Sequence, residues 1–406
     1  MLPYTQPHPM SLARLALSVA AVCALLAAPP MVGGCRRAST PRAGSPSARM
    51  SADGRPASAR ADRIALTTAF QGASQVFAID PETFAVERVA PEINTAHSPR
   101  WAPDGSGVLA FLAASPSDPR EDCLYLWDGT SAMQCGDNVL TYRWCPAGGR
   151  IAFTRYRAGG LYVASTGSAR VRHAAGGDAP VADFAWSGDG RALAAVVTSG
   201  PGMRAEWLHD GDRVQRDVTE VGSLACCALD ATGDTVALAG ANGLYLWRPA
   251  QGALRRVAPA AGSGGVAWSP AKAEYAYVEA DADADVVVRS ADGAARPLDV
   301  ASPGRSLSPV WSPDGTRIAF LRAPADAAGN VAGPADLYVG PASGGSAQQI
   351  APSAGHEADP VWSPDGTRIA FVSDRDGNRE VYVADLATGR VLNLTNSPAD
   401  DFEPDW

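Results

Sequence analysis

Short apolar runs recur along the chain in a repeated order. A run ending in Trp is followed by Ser-Pro-Asp-Gly, then Arg-Ile-Ala-Phe, then a third apolar run, a Gly-containing hairpin and a fourth. The clearest copies are Ser308-Pro-Val-Trp-Ser-Pro-Asp-Gly-Thr-Arg-Ile-Ala-Phe320 and Asp359-Pro-Val-Trp-Ser-Pro-Asp-Gly-Thr-Arg-Ile-Ala-Phe371. Weaker copies centre on Trp101, Trp144, Trp186 and Trp268, one has Leu229 in the Trp position, and Trp406 begins another. Successive centres are 43, 42, 43, 39, 43, 51 and 44 residues apart. A period near 43 is that of one four-stranded propeller blade. Ser-Pro-Asp-Gly suits a type I turn, with Pro second and Gly fourth. Continuously apolar strands suit sheets packed on both faces.

The two ends complement each other. Asp62-Arg-Ile-Ala-Leu66 reads as the second strand of a repeat without a first, and Phe402-Glu-Pro-Asp-Trp406 as a first strand without a second. The expectation is an all-β fold, a closed β-propeller of four-stranded blades over residues 61–406. Its ring is closed by pairing of the N- and C-terminal strands, which removes an exposed edge. Counting from residue 61 gives eight blades, with seven or six as alternatives.

The first 60 residues differ. Arg14 precedes an apolar run from Leu15 to Ala28, then Pro29-Pro30 and Val32-Gly33-Gly34-Cys35. Fourteen apolar residues suit a secretory h-region better than a membrane span. Residues 1–34 are therefore expected to be a signal peptide, with Met10 as an alternative start. Small residues before Cys35 resemble the lipobox of bacterial lipoproteins, though Val32 and Gly33 stand where Leu and Ala are commonest. The resemblance implies that Cys35 is acylated and becomes the mature N-terminus. Arg36 follows, where an Asp would resemble an inner-membrane retention signal. The expected location is the outer membrane facing the periplasm, or the cell surface. Residues 35–60 are expected to be a disordered linker, rich in Ser, Ala, Pro, Gly and Arg.

Composition narrows the function. The chain has 406 residues and a net charge of −9, and its linker holds six arginines against Asp53 alone. Residues 61–406 are thus more acidic than the whole, which argues against nucleic acid as a partner. The only lysine is Lys272. No Gly-x-Ser-x-Gly elbow and no His-Glu-x-x-His pattern occurs. Of His8, His97, His173, His209 and His356, only His97 and His356 sit just before a first strand, at one mouth of the ring. Asp374-Arg-Asp-Gly-Asn378 lacks EF-hand spacing and reads as a turn.

Carboxylates gather at that mouth. Three residues before each Trp position stand Ser98, Thr141, Asp183, Cys226, Gly265, Ser308, Asp359 and Glu403. Two residues further back lie Glu357 and Asp401. Adjacent blades would then present Glu357, Asp359, Asp401 and Glu403 together, a negative focus for a basic peptide, a cation or calcium. The other reading is structural, with these acids tying neighbouring blades.

Of seven cysteines, Cys23 lies in the signal and Cys35 in the lipobox. Cys123 and Cys135 are symmetric about Gly129, so a hairpin turning there would let them form a disulfide. Cys145, Cys226 and Cys227 read as buried small apolar residues.

The Trp-Ser-Pro-Asp-Gly-x-x-Ile-Ala-Phe copies and Ser373-Asp-Arg-Asp-Gly-Asn-Arg-Glu-Val-Tyr382 resemble the propeller repeats of the TolB family, most sharply from about residue 308. That family implies a non-enzymatic envelope role, binding a peptidoglycan-associated lipoprotein at the propeller mouth. TolB proteins have six blades and an N-terminal α/β domain, so membership of the Tol–Pal system is not implied. Propellers of prolyl-oligopeptidase-like peptidases and oligogalacturonate lyases carry similar repeats. The expected function is a monomeric envelope lipoprotein, anchored by lipid, that binds or scaffolds an envelope protein or peptide. No cofactor other than calcium is expected. The alternative is a polysaccharide lyase or hydrolase with a metal at the channel mouth.

Overall fold

Eight sheets of antiparallel strands, arranged as blades, form a closed β-propeller. This computed structural model describes residues 62–259, 261–279, 285–290, 295–300, 304–326 and 331–406. The expected signal peptide (1–34), the lipid-bearing Cys35 and the linker (35–60) lie outside the described residues. Among those described there is no α-helix, and none long and apolar enough to cross a membrane.

The inner strands of blades 1 to 4 are Ala96–Trp101, Val139–Trp144, Val181–Trp186 and Leu224–Leu229. Those of blades 5 to 8 are Ala261–Trp268, Arg305–Trp311, Glu357–Trp362 and Asp400–Asp405. Blade 8 is the seam, where Asp400–Asp405 pairs with Ile64–Phe70, followed outward by Ala73–Ile79 and Val86–Arg88. The blade count and the closure agree with the repeat. The 51-residue spacing places extra chain in blade 6, whose Gly345–Ser346 adds a parallel strand to Ala295–Asp299 of blade 5.

The apolar core is distributed. Eight buried clusters each join two neighbouring blades. Ile64, Leu66 and Ile79 of blade 8 meet Ala370, Val372 and Val381 of blade 7, for example. Both blade faces are buried, which explains the unbroken apolar strands. The second strands supply Phe111, Phe153, Phe320 and Phe371, each stacked on a Tyr of the third strand at 5.6–5.8 Å.

The repeated residues tie blade to blade. Trp362 Nε1 donates to Val310 O at 3.1 Å, Trp311 Nε1 to Ala267 O at 2.9 Å and Trp144 Nε1 to Arg100 O at 2.9 Å. Trp186 and Trp268 repeat the bond at 3.3 and 3.4 Å. Leu229 has no indole to offer, so blade 4 lacks this link. The Arg after the turn stacks on the next blade's Trp, as Arg317 does on Trp362 (5.1 Å) and Arg150 on Trp186 (5.0 Å). Ser-Pro-Asp-Gly forms the expected turn, with Gly315 N donating to Ser312 O at 2.9 Å. Asp314 accepts from Ser312 Oγ, then from Thr316, and these bonds hold its carboxyl down at about 2.

Candidate functional site

Every inner strand is bulged just before its Trp position. The pairing slips between His97 and Arg100, between Leu307 and Val310 and between Ala358 and Val361, and similarly in the other five blades. Ser98, Ser308, Asp359 and Glu403 stand at the bulge in the left-handed region, with φ of 52°, 49°, 48° and 55°. Gly265 takes this place in blade 5 at φ 76°. Each of the four side chains precedes a Pro that fixes the following backbone. The bulge re-aims the residue toward the channel and breaks the alternation of faces behind it.

This separates the four expected acids. Glu357 and Asp401 are fully buried and do not reach the mouth, a correction to the simple alternation read from sequence. Glu357 accepts from Ser353 Oγ (2.7 Å), Ser373 Oγ (3.1 Å) and Arg375 (3.0 Å) within its own blade. Arg375 in turn stacks on Tyr382 at 4.7 Å, so the pair is part of the blade interior. Asp401 accepts from Thr68 Oγ1 at 2.5 Å across the seam. Burial pushes the Asp401 carboxyl up to about 7, against the pull of Thr68, Ser397 and Thr395.

Glu403 is half-buried and Asp359 exposed, unlike the two acids behind them. Glu403 accepts from Ser98 N (2.7 Å), Ser98 Oγ (3.0 Å) and Thr67 Oγ1 (2.9 Å), so it ties blade 8 to blade 1. Asp183 makes the same tie to Cys227 N at 2.7 Å, and Cys226 Sγ accepts from Val266 N at 3.3 Å. The structural reading therefore holds for Glu403. Asp359 is exposed and, among the described residues, makes no hydrogen bond or ion pair. Although open to solvent, it is crowded by the surrounding ring, and desolvation raises its carboxyl above the usual range. Arg100 offsets the rise, and Glu403 adds to it.

The two histidines are engaged locally. His97, half-buried, sets Nδ1 3.1 Å from Ser98 Oγ and Nε2 3.4 Å from Asp122 Oδ1. His356 is exposed, and its Nδ1 accepts from Ala335 N at 2.9 Å. Among the described residues, no three His, Cys, Asp or Glu side chains converge as metal ligands. Asp374–Asn378 is a turn, with Gly377 N donating to Asp374 O at 2.9 Å.

The sequence reading missed the position just before each Trp. It holds Arg100, Arg143 and Asp405 where other blades have Ala or Val. Arg100 lies 3.8 Å from Asp405, and Arg143 pairs with Asp183 at 2.8 Å. Asp405 Oδ2 accepts from Trp101 N at 2.6 Å, while burial raises its carboxyl to about 6. Further along the channel, a cavity of about 670 Å³ is lined by Arg143, Asp183, Trp144, Trp186, Trp268 and Cys226, among others. The missed signal was polarity at one register position.

The expected Cys123–Cys135 disulfide is not formed, and both thiols are free and buried. The hairpin pairs Trp127 with Ala132 and Tyr125 with Gln134, one residue off the symmetric register, and bulges at Cys135. Cys123 consequently packs with Phe111 and Tyr125 toward blade 8, and Cys135 with Leu124 and Phe153 toward blade 2. A one-residue slip in a strand pair moves a side chain to the opposite face. Cys145 and Cys227 are buried and Cys226 is half-buried at the channel wall, close to the expected apolar roles.

Comparison with known proteins fits this architecture. Residues 265–406 match the family model of the TolB beta propeller domain. No curated protein sequence matches the chain. Among solved structures, a prolyl endopeptidase is 14% identical at a TM-score of 0.54, covering 76% of this chain and 50% of its own. The chain thus spans about half the length of that peptidase. An oligogalacturonate lyase in complex with manganese is 18% identical at a TM-score of 0.52, covering 80% of this chain and 97% of its own. TolB from Acinetobacter baumannii is 13% identical at a TM-score of 0.41, covering 70% of this chain and 79% of its own. The class defined is a closed β-propeller, of which residues 265–406 are similar to the TolB beta propeller domain. That similarity spans its C-terminal three blades and the seam strand.

Proposed function

We propose that the chain is an exported, lipid-anchored propeller of the cell envelope, acting as a non-catalytic binding or scaffolding module for an envelope protein or peptide. The observation that carries this reading is Asp359. It occupies the position that Glu403 and Asp183 use to tie blades, yet its carboxylate stays open to the channel and unpaired among the described residues. A rigid ring presents such a group at no conformational cost, which favours affinity through preorganisation. The open acid beside Glu403 suits a basic segment of a partner. The match of residues 265–406 to the TolB propeller domain supports a binding role, and the lipobox-like Val32–Cys35 supports the anchor.

Two experiments test it. Metabolic labelling with a palmitate analogue should mark the wild-type chain and not Cys35→Ser. The full chain, purified in detergent, should capture one envelope protein that Asp359→Arg fails to capture. Equal capture by both forms would remove the mouth from the proposal. The alternative, a propeller lyase or hydrolase using a metal at the mouth, rests on likeness of fold. Stoichiometric transition metal in the purified chain, lost on Asp359→Ala, would favour it.

A further inference from the structure

The groove between blades 2 and 3 gathers basic side chains in an otherwise acidic protein. A cavity of about 400 Å³ lies there, remote in sequence from the bulged mouth residues of blades 7 and 8. Four arginines line it from four separate segments. Arg150 begins the second strand of blade 2 and Arg172 sits on its outer strand, Ser168–Ala175. Arg191 precedes the second strand of blade 3, and Arg213 lies on its outer strand, Asp212–Asp217. His173 and His209 complete the lining from the same two blades.

Most of these groups are held in place by the protein. Arg150 NH2 donates to Gly190 O at 2.6 Å while its plane stacks on Trp186. Arg213 donates to Ala174 O at 2.7 Å and pairs with buried Glu206 at 3.1 Å. Arg191 is paired with Asp210. His209 is oriented edge-on to Trp207, with ring centroids 5.3 Å apart.

Two donors are left over. The Arg172 side chain makes no hydrogen bond or ion pair among the described residues. His209 Nε2 is buried without a hydrogen-bond partner, and the nearest carboxylate oxygen, Asp210 Oδ2, is 3.7 Å away. The acids at the rim are Asp210, already committed to Arg191, and Asp212 of the hairpin. Glu206 is shared by Arg204 and Arg213 and Asp210 is taken by Arg191, so Arg150 and Arg172 are the two guanidiniums of the lining with no carboxylate partner among the described residues, in a chain that as a whole carries −9.

We infer that this inter-blade groove is a binding site for a phosphate group. A carboxylate offers two oxygens to one planar fork. Donors converging from four segments on opposite walls suit a tetrahedral anion with three or four oxygens. Arg172 supplies the open guanidinium and His209 Nε2 a buried ring nitrogen still without a partner, while Arg150 and Arg213, held by Gly190 O and Ala174 O, fix the walls. The phosphate arrives either on a soluble phosphorylated compound or on an anionic lipid headgroup.

The full chain in neutral detergent micelles is titrated with inorganic phosphate at constant ionic strength, and separately with micelles doped with phosphatidylglycerol. Saturable binding is expected that weakens about tenfold or more in Arg172→Ala, the loss typical of one charge-assisted contact. His209→Gln should weaken it as well, and Arg390→Ala, an exposed arginine of blade 7, should leave it unchanged. Arg172 is solvent-exposed, so its variant should melt with the wild type, which separates loss of binding from loss of fold. Binding of both probes assigns the site to the phosphate itself; binding of the doped micelles alone assigns it to the headgroup. Saturable binding of neither probe, or equal affinity in Arg172→Ala and Arg390→Ala, overturns the proposal.

Discussion

Glu403 accepts the backbone N–H of Ser98 at 2.7 Å, across 305 residues of sequence, and takes the Ser98 hydroxyl with its other oxygen. Both residues stand at the inner-strand bulge of adjacent blades, so one carboxylate ties the seam blade to the next. Glu403→Ala leaves the Ser98 N–H only its longer bond to Thr67 Oγ1, at 3.2 Å, and removes the acceptor of the Ser98 and Thr67 hydroxyls, which should cost about 1–3 kcal/mol. Glu403→Gln keeps an acceptor and should cost less. Denaturant melts of the two variants check the order, and equal losses would mean that the bond contributes little.

Removing residues 401–406 takes away most of the strand that pairs with Ile64–Phe70. The ring then has two open edges and loses the Asp401, Glu403 and Asp405 ties. The expected result is loss of a single cooperative melt and a rise in aggregation, seen by calorimetry and light scattering. An unchanged melt would show that closure is unimportant for stability.

Trp362→Phe keeps an aromatic ring in the core but deletes the bond to Val310 O. The cost should be about 1 kcal/mol or somewhat more for the bond. Trp362→Ala should cost about 3–5 kcal/mol, because a cavity opens between blades 6 and 7 as well. Chemical denaturation of the pair separates hydrogen bond from packing.

Stability should fall as pH rises toward neutrality. Burial holds the Asp401 carboxyl at about 7 and that of Asp405 at about 6, both above the value of an unfolded Asp. Below the unfolded value both states are protonated, and the folded protein has its full stability. As pH climbs through the window up to about 7, the unfolded chain ionises first and the folded state is penalised. Asp401→Asn should flatten this slope between pH 5 and 7, shifting Tm by on the order of a few degrees at pH 8 relative to wild type. A slope identical in the variant would assign it to other groups. Asp314, held down at about 2, acts in the opposite sense and only in strong acid.

The buried thiols should be silent in the native protein. Burial raises Cys135 to about 12 and raises Cys227 well above its ordinary value, so neither forms thiolate near neutral pH. Alkylation at pH 8, followed peptide by peptide, should mark Cys123, Cys135 and Cys227 only after unfolding, and reductant should leave Tm unchanged. A Cys123–Cys135 cross-linked peptide would contradict the observed register.

Ring architecture was legible because it is written as a period. The Trp spacing gave the blades, and the unmatched halves at Asp62–Leu66 and Phe402–Trp406 gave the seam. The direction of individual side chains was not legible, because the bulge beside Asp359 and Glu403 changes the alternation that would have placed Glu357 and Asp401 in the channel. The same kind of slip set Cys123 and Cys135 on opposite faces. The link from Trp362 to Val310 was hidden because its acceptor is a backbone carbonyl with no sequence signature. The basic groove escaped notice since Arg150, Arg172, Arg191 and Arg213 are far apart along the chain and meet only when two blades pack.

Seam pairing also sets the order in which the molecule can be assembled. Thr67 and Glu403, bonded across blade 8, are 336 residues apart, so this contact carries nearly the greatest loop-closure cost the chain contains. Blades 1 to 7 can form from local hairpins, whereas the inner edge of Ile64–Phe70 waits for Asp400–Asp405. Folding should therefore end in a slow closure step of high contact order, preceded by an open horseshoe with exposed strand edges at both ends. Whatever keeps newly made chain from pairing with its neighbours must act until that final strand arrives.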